Sequence, residues 1–242
     1  MKLTVVGFWG GYPAKNGATS CYLLEKDDFS FIIDAGSSSL SKLQNYLSPA
    51  NLDAVIISHY HQDHIADIGV LQYARLVNYY VTGDQKVLPV YGHKEDRAGF
   101  QSLTHKYTKG VAFDPDSRLE LGPFSITFLK TKHPVPCYGM RITDGEKTIV
   151  YTADTSYKEE WIDFAAGADL LIADCNFYAG GNASQAGHMT SEEGGKIAAA
   201  SAVKELMLSH LPQFGNRQQL IEEAKQFFQG KIRLAEEGLV WT

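Results

Sequence analysis

Four side chains that can bind a metal ion lie within six residues, directly after an apolar run. The apolar run covers 54–57, and the cluster reads His59-Tyr60-His61-Gln62-Asp63-His64. The run has the length and β-branched content of a buried strand. Several imidazoles in one loop rarely serve packing, because each ring needs its own hydrogen-bond partner. The chain must therefore fold so that a strand ends in a metal site, and nitrogen and oxygen donors without thiolates suit zinc, manganese or iron.

Strand-like apolar runs alternate with helical patterns along the whole chain. The runs cover 3–6, 20–24, 29–33, 54–57, 87–91, 124–129, 148–151, 170–173 and 205–208. The helical patterns cover 40–47, 65–78, 157–166, 191–202 and 217–229. This alternation predicts an α/β protein. A chain of 242 residues that is 44% hydrophobic and 21% charged can build one full core, so we expect a single domain over 1–242 with two related halves that meet near 115–122.

Several apolar runs are followed by a polar side chain at the point where the predicted strand ends. These side chains are Asp34, His59, His133, Asp154 and His210. Strand ends that gather at one edge of a sheet hold ligands rigidly, and less binding free energy is lost to ordering than on a mobile loop. We expect these groups to converge on one site.

The order and spacing of these residues resemble the metallo-β-lactamase superfamily. The matching pattern is His59-x-His61-x-Asp63-His64, followed by His133, Asp154 and His210, and it extends over nearly the whole chain. The resemblance implies an αβ/βα sandwich of two mixed β-sheets flanked by helices. It also implies a centre of two divalent ions, for which zinc is favoured and manganese and iron are alternatives.

The resemblance assigns every ligand of this centre. The first ion takes His59, His61 and His133. The second ion takes Asp63, His64 and His210. Asp154 bridges the ions, and Asp34 lies behind the ligands and orients the histidine loop. Ions about 3.5–4 Å apart can share a water whose pKa falls from about 15.7 toward about 7, so the bridging hydroxide is the expected nucleophile and covalent catalysis is not needed.

A further histidine lies between Asp154 and His210, in the segment Gly187-His188-Met189-Thr190-Ser191. This segment resembles the ribonuclease Z branch, in which the matching histidine protonates the leaving oxygen of a phosphodiester. An acidic residue after the preceding strand, here Asp174, supports that histidine. We therefore assign His188, Asp174 and Asp63 to the catalytic set, with Asp63 a metal ligand as well. The structural alternative for His188 is an ordinary helix start capped at position 190 or 191.

The glycine-rich segment 7–16 also resembles a ribonuclease Z loop, which follows the first strand and approaches the substrate. Glycine lets a backbone come close to a phosphate group. On this basis Tyr12 and Lys15 are our candidate substrate contacts. The alternative is an ordinary turn, because turns use the same residue types.

One departure from the ribonuclease Z pattern bears on the substrate. Full-length enzymes of that branch carry a long, basic, glycine-rich arm that grips transfer RNA, between the counterparts of His133 and Asp154. Here only the twenty residues 134–153 separate them, and 22 basic against 28 acidic residues give a net charge of −6. The many phosphate contacts that hold a folded RNA would therefore have to come from other parts of the chain. We expect a short form, and the missing arm argues against transfer RNA as its substrate.

The combined pattern favours a phosphodiesterase that acts on a small nucleotide or a short nucleic-acid strand. A thioesterase or lactonase of the same superfamily is the first alternative, and there His188 would be dispensable because the leaving group departs with help from the metals alone. The second alternative is an iron redox protein or a metal-dependent binding protein. A redox enzyme of this kind needs a flavin domain, for which the chain has no residues to spare.

The remaining features concern location and partners. Three cysteines without a CxxC spacing, and no signal peptide or membrane-spanning run, favour the cytoplasm and no membrane partner.

The tyrosine-rich region 70–107 is compatible with a homodimer interface or a lid, with ordinary core and surface as the alternative. Within it we predict that His93 and His105 are surface residues.

Overall fold

The computed structural model describes residues 1–242, and the chain divides into two compact units. Unit 1 consists of Met1–Asp114 and Glu236–Thr242, and unit 2 consists of Pro115–Ala235. Each unit contains a seven-stranded mixed sheet. The prediction of two mixed sheets flanked by helices is confirmed, whereas the single domain over 1–242 stays a prediction. None of the helices combines the length and the apolarity that a membrane crossing requires.

The sheet of unit 1 has an antiparallel half and a parallel half. Its strands are β1 (Lys2–Gly7), β2 (Cys21–Lys26), β3 (Phe29–Ile33), β4 (Ala54–Ile56), β5 (Leu88–Gly92), β6 (Thr108–Ala112) and β14 (Val240–Trp241), where β14 is numbered by its place in the chain. The spatial order is β14-β1-β2-β3-β4-β5-β6. Pairing is antiparallel from β14 to β3 and parallel from β3 to β6. The carboxyl ends of β3 and β4 therefore lie at the same edge of this sheet.

The helices of unit 1 are short, except for one. They are α1 (Ser39–Leu43), a 3₁₀ helix (Pro49–Asn51), α2 (Gln62–Ile65), α3 (Ile68–Thr82) and α4 (Arg97–Ser102). Leu71 of α3 packs with Ile32, Val55 and Val90 in the buried core. The continuous helix predicted over 65–78 is wrong at its start, because the chain breaks at Asp67, whose carboxylate accepts a hydrogen bond from the Leu40 N–H at 2.8 Å.

The sheet of unit 2 shows the same division into halves. Its strands are β7 (Leu119–Leu121), β8 (Phe124–Lys130), β9 (Tyr138–Thr143), β10 (Thr148–Tyr151), β11 (Leu170–Asp174), β12 (Glu205–Ser209) and β13 (Lys231–Leu234), in the spatial order β13-β12-β11-β10-β9-β8-β7. Pairing is antiparallel from β7 to β10 and parallel from β10 to β13. The helices are α5 (Glu160–Phe164), α6 (Ala183–Ala186), α7 (Ser191–Ala200) and α8 (Gln218–Ala224).

The segment between His133 and Asp154 is occupied by a β-hairpin. β9 and β10 pair in it, and the Asp144 carboxylate accepts hydrogen bonds from the N–H groups of Glu146 and Lys147 in the turn that joins them. These twenty residues are used by two strands and their connections, and no long arm leaves the sheet here.

Candidate metal centre

The histidine loop, residues 58–64, follows β4 in unit 1. Since β4 is parallel to β3, this loop and Asp34 lie at the carboxyl ends of neighbouring strands. His59 and His64 are fully buried. The first turn of α2 begins directly after His61 and carries Asp63 and His64. Four possible metal ligands therefore lie within six residues of chain at the end of one strand.

The imidazole rings of the histidine loop face one another. His59 Nε2 lies 3.1 Å from His61 Nδ1, and the His59 and His64 ring centroids are 4.2 Å apart. Ring nitrogens directed at a common space are the arrangement that a bound cation uses. Unit 1 thus brings together the four ligands predicted from this loop.

Asp34 holds the histidine loop in place through hydrogen bonds. Its fully buried carboxylate accepts hydrogen bonds from the Ser58 N–H at 2.8 Å, the Ser58 hydroxyl at 2.9 Å and His64 Nδ1–H at 2.7 Å. With its Nδ1 proton used in this way, His64 keeps the Nε2 lone pair for a metal ion. Asp34 itself has a left-handed backbone, with a φ of 59°. The carboxylate therefore fixes both the tautomer and the ring orientation of His64.

The glycine-rich segment has a contact that the sequence did not reveal. The Gly11 N–H donates a 2.7 Å hydrogen bond to Asp63 Oδ2, and Gly11 has a φ of 71°. Tyr12 and Lys15, on the same segment, are exposed. Their role as substrate contacts stays a prediction. A glycine next to the first strand was the only sequence signal for the backbone contact with Asp63.

Tyr60 anchors the histidine loop from the side. Its hydroxyl donates a 2.6 Å hydrogen bond to the His93 carbonyl, and a Cβ at Gly99 would lie 2.3 Å from the Tyr60 ring. His93 is only 1% exposed, since it packs beside Tyr60 and Phe113. The prediction of a surface His93 is therefore wrong, and that of an exposed His105 is confirmed.

Unit 2 collects five ligand-type side chains around one edge of its own sheet. One of them, Asp174, is the last residue of β11, and three others follow β8, β10 and β12. The carboxyl ends of these four strands share one edge, because β8 runs in the same direction as β10, β11 and β12. The five are His133, Asp154, Asp174, His188 and His210. In each unit, predicted residues therefore lie at strand ends that share one edge of a sheet, and their convergence on one site stays a prediction.

Asp154 lies between two of the histidines. Its Oδ1 is 3.4 Å from His210 Nε2 and its Oδ2 is 3.9 Å from His133 Nε2, both longer than the typical hydrogen-bond distance of about 2.7–3.2 Å. His133 Nδ1–H donates to the Gly187 carbonyl at 2.9 Å, so its Nε2 carries the lone pair. One carboxylate oxygen beside each Nε2 is the geometry expected of a bridging ligand.

His188 and Asp174 form a hydrogen-bonded pair in unit 2. His188 Nδ1–H donates to Asp174 Oδ2 at 2.9 Å, and the Thr155 N–H donates to the same oxygen at 3.0 Å. Burial opposes protonation of the ring, but the Asp174 carboxylate outweighs it, so the pKa of His188 is raised above its ordinary value. Burial likewise opposes ionisation of Asp174, and the neighbouring His188 lowers the pKa of that carboxyl.

The cap of α7 does not compete with this pair. Thr190 is the N-cap, and its side chain and Glu193 form a reciprocal capping box. The His188 ring instead stacks on the rings of His210 and Phe177, at centroid distances of 5.0 and 6.2 Å. His188 is therefore adjacent to the helix start without serving as its cap.

Four side chains of unit 2 form another possible set of metal ligands, which includes His188. Single ligand atoms of Asp154, Asp174, His188 and His210 lie within 4.8 Å of one another. In that arrangement His188 would be a metal ligand rather than an acid. Either way the donors are imidazole nitrogens and carboxylate oxygens, which fit divalent zinc, manganese or iron.

The chain matches known proteins over most or all of its length. Residues 30–211 match the Beta-lactamase superfamily domain. The probable metallo-hydrolase YhfI of Bacillus subtilis is 53% identical over 100% of this chain and 99% of its own. The crystal structure of YhfI, described as a metallo-beta-lactamase fold protein, has a TM-score of 0.98 at 54% identity and covers 99% of this chain and 98% of that chain.

More distant matches carry the name of ribonuclease Z. Ribonuclease Z of Metallosphaera sedula is 24% identical over 94% of each chain. The crystal structure of human tRNase Z, short form, has the same fold, with a TM-score of 0.78 at 20% identity over 100% of this chain and 99% of that chain. The resemblance predicted from the histidine and aspartate pattern is confirmed. The chain belongs to the metallo-β-lactamase superfamily, within a metallo-hydrolase branch that is similar to ribonuclease Z.

Proposed function

We propose that this protein is a metal-dependent phosphodiesterase in which His188 is the general acid. The observation that carries the proposal is the His188–Asp174 pair, with its 2.9 Å hydrogen bond. A thioester or lactone releases a thiolate or alkoxide that two metal ions can stabilise without a proton donor. A phosphodiester that expels an unactivated alkoxide gains about 10²- to 10⁴-fold in rate from a positioned proton donor.

In this proposal the seven predicted ligands form one metal centre. The first ion would be held by His59, His61 and His133. The second would be held by Asp63, His64 and His210, with Asp154 as a ligand of both. When bound, the two divalent ions, for which zinc is favoured, supply an activated water and neutralise charge on the phosphate. Family membership and the orientation of the ring nitrogens within each unit support this assignment.

His188 would act through its Nε2. Its Nδ1–H is held by Asp174, and the raised pKa favours a proton on the ring near neutral pH. As the bond between phosphorus and the leaving oxygen breaks, the Nε2 proton passes to that oxygen. Asp174 holds the ring in the orientation needed for this transfer. Asp63 completes the catalytic set as a proposed metal ligand whose carboxylate accepts a hydrogen bond from the Gly11 N–H.

The proposed substrate is a small nucleotide or a short nucleic-acid strand. The hairpin of β9 and β10 leaves no arm to grip a folded transfer RNA, and the net charge of −6 gives no general attraction to nucleic acid. Tyr12 and Lys15 are proposed substrate contacts because they are exposed on the segment whose Gly11 bonds to Asp63.

We also propose a cytoplasmic location and a homodimer. Light scattering after size-exclusion chromatography tests the homodimer.

A substrate panel with wild type and His188→Ala tests the function. The panel contains bis-p-nitrophenyl phosphate, a cyclic nucleotide, a dinucleotide, a thioester and a lactone, each with zinc, manganese or iron restored. We expect phosphodiester turnover, and a loss of about 10²- to 10⁴-fold in His188→Ala for the nucleotides, whose leaving oxygen is an alkoxide. Loss for bis-p-nitrophenyl phosphate is expected to be small, because p-nitrophenolate leaves readily.

Two results would overturn the proposal in favour of the alternatives. Hydrolysis of the thioester or lactone alone, unchanged by His188→Ala, would identify an esterase. Bound iron with a visible spectrum, and no hydrolysis of any substrate, would identify a redox or binding protein.

A further inference from the structure

We propose that Glu223, on α8, is a positioning residue for His188, because its carboxyl group clips together the two arms of the loop that carries this histidine. The loop, called the His188 loop here, comprises residues 177–191 and includes α6. The catalytic part of this inference rests on the proposed function, whereas the clip itself does not.

The His188 loop closes at a narrow neck. The Ser191 N–H donates to the Phe177 carbonyl at 3.1 Å, and the Phe177 N–H donates to the Met189 carbonyl at 3.3 Å. Between these contacts the chain makes an excursion in which residues 179–182 and 184–186 are exposed. The neck therefore determines where the end of the loop, with His188, is held.

Glu223 reaches this neck from a different element. Its Oε2 accepts hydrogen bonds from the Ala179 N–H, at 2.9 Å, and from the Ser191 hydroxyl. Its Oε1 accepts a 2.7 Å hydrogen bond from Gln219 Nε2, one turn earlier on α8. A single oxygen thus joins the outgoing arm of the loop to the returning arm.

Burial makes this position unusual for an acidic residue. Glu223 is 9% exposed, and all three of its donors are neutral. Removing a carboxyl group from water is unfavourable unless hydrogen bonds compensate, and apolar residues alone can pack one helix against another. α8 already packs closely on α7, since a Cβ at Gly195 would lie 2.7 Å from the Ala224 carbonyl. Glu223 is therefore not needed for that contact, and its hydrogen bonds are directed at the loop.

The neck is coupled to two groups of the site within unit 2. The Gly187 carbonyl, in the returning arm, accepts the hydrogen bond from His133 Nδ1–H. The next residue, His188, bonds to Asp174 and stacks on Phe177 at the neck. If the arms separate, both the proton donor and the partner of His133 lose their fixed places. A displacement of about 1 Å at a reacting group costs roughly 100-fold in rate.

Hydrogen exchange tests the clip without reference to activity. In Glu223→Ala, the amides of residues 177–191 are expected to exchange at least about tenfold faster, the change expected from two lost hydrogen bonds. Glu223→Gln should exchange like wild type, because its amide oxygen can accept from both arms. Glu222→Ala is the matched control, since Glu222 is the neighbouring exposed residue, bonded to Gln218 and Lys225. Unchanged exchange in Glu223→Ala would overturn the clip.

Leaving-group dependence tests the effect on His188. The assay uses saturating metal, so that a weaker hold on His133 does not lower metal occupancy. We then expect Glu223→Ala to lower kcat for a cyclic nucleotide by about 10- to 100-fold, and to change kcat for bis-p-nitrophenyl phosphate by less than about threefold. Adding Glu223→Ala to His188→Ala should have no further effect on the nucleotide. Glu223→Gln should recover the wild-type rate.

Several outcomes contradict the positioning role. One is faster hydrogen exchange in Glu223→Ala with an unchanged kcat for the nucleotide. Another is an equal loss of kcat on both substrates, together with a further loss when Glu223→Ala is added to His188→Ala. If His188→Ala itself is harmless, the proposed function has failed, and the exchange result still decides the clip. If Glu223→Ala does not fold, Ser191→Ala removes one arm of the clip and should give smaller changes in the same direction.

Discussion

The histidine loop of unit 1 and the His188 loop of unit 2 hold their imidazoles in opposite ways. The histidine loop is seven residues long, follows a buried strand, and keeps His59 and His64 fully buried. The His188 loop is fifteen residues long, is mostly exposed between its arms, and leaves His188 half-buried. Permanent ligands tolerate complete burial, whereas a group that donates a proton to a substrate has to be reached by it.

Each loop depends on a carboxylate behind it, but the number of such carboxylates differs. In the histidine loop, the Asp34 carboxylate accepts hydrogen bonds from Ser58 and His64. The His188 loop has Asp174 on its histidine and Glu223 at its neck. A longer excursion has more conformational entropy to lose, so its fixed geometry requires more contacts.

The largest expected effect comes from removing a proposed metal ligand from the histidine loop. His64→Ala should lose bound metal. Removing a residue that only hydrogen-bonds to a metal ligand costs about 10- to 100-fold in activity, and the loss of turnover here should be larger than that. Elemental analysis and rates on a phosphodiester check this. Retention of full metal content and activity would show that the loop is not a ligand source.

A change to the support of His188 should alter the pH profile instead. In Asp174→Asn the carboxylate that raises the pKa of His188 is gone, while burial still lowers that pKa. A general acid transfers its proton less effectively at pH values above its pKa, so the fall in nucleotide turnover on the basic side should begin at lower pH than in wild type. The pH dependence of kcat/KM is the measurement. An unmoved basic limb would contradict the role of the pair.

Asp34→Ala should weaken metal binding without removing a ligand. Loss of its hydrogen bonds frees the His64 ring, and we expect about 10- to 100-fold lower metal affinity. Competition with a chelator measures this, and Asp28→Ala, an exposed change nearby in sequence, is the control. Equal affinity in both variants would remove Asp34 from the account.

The smallest expected effect concerns a glycine of the His188 loop. Gly187 has a φ of 82°, and a Cβ there would lie 2.4 Å from Pro134 and 2.7 Å from His133 Nδ1. Gly187→Ala should lower the free energy of unfolding by about 1–3 kcal/mol through backbone strain and crowding. Gly180→Ala has a similar φ and open space, so it isolates the backbone part. Thermal or denaturant unfolding separates the two.

The sequence predicted the features that depend on local pattern. All nine predicted strands exist, because each is a short run rich in apolar and β-branched residues, whether it pairs parallel or antiparallel. The strands that were missed are short or interrupted, as in β9, which contains Gly139 and Arg141, and in β6, which contains Gly110. The strand ends also located most of the ligand-type residues.

The sequence could not predict contacts between distant segments. Nothing local indicates that Gly11 bonds to Asp63, that Tyr60 buries His93, or that Glu223 reaches Ser191 thirty-two residues away. Each of these contacts depends on how the elements of a unit pack, which a single sequence does not specify. They fix the orientation of the site rather than its identity.

The number of divalent ions bound by His188→Ala tests the central claim most directly. If His188 is an acid beside a centre built from the other seven residues, wild type and His188→Ala should each bind two ions per chain by elemental analysis after dialysis. Two ions in wild type and one in the variant would make His188 a ligand, as its proximity to Asp154, Asp174 and His210 permits. Either that result, or no bound ions in both proteins, would contradict the account.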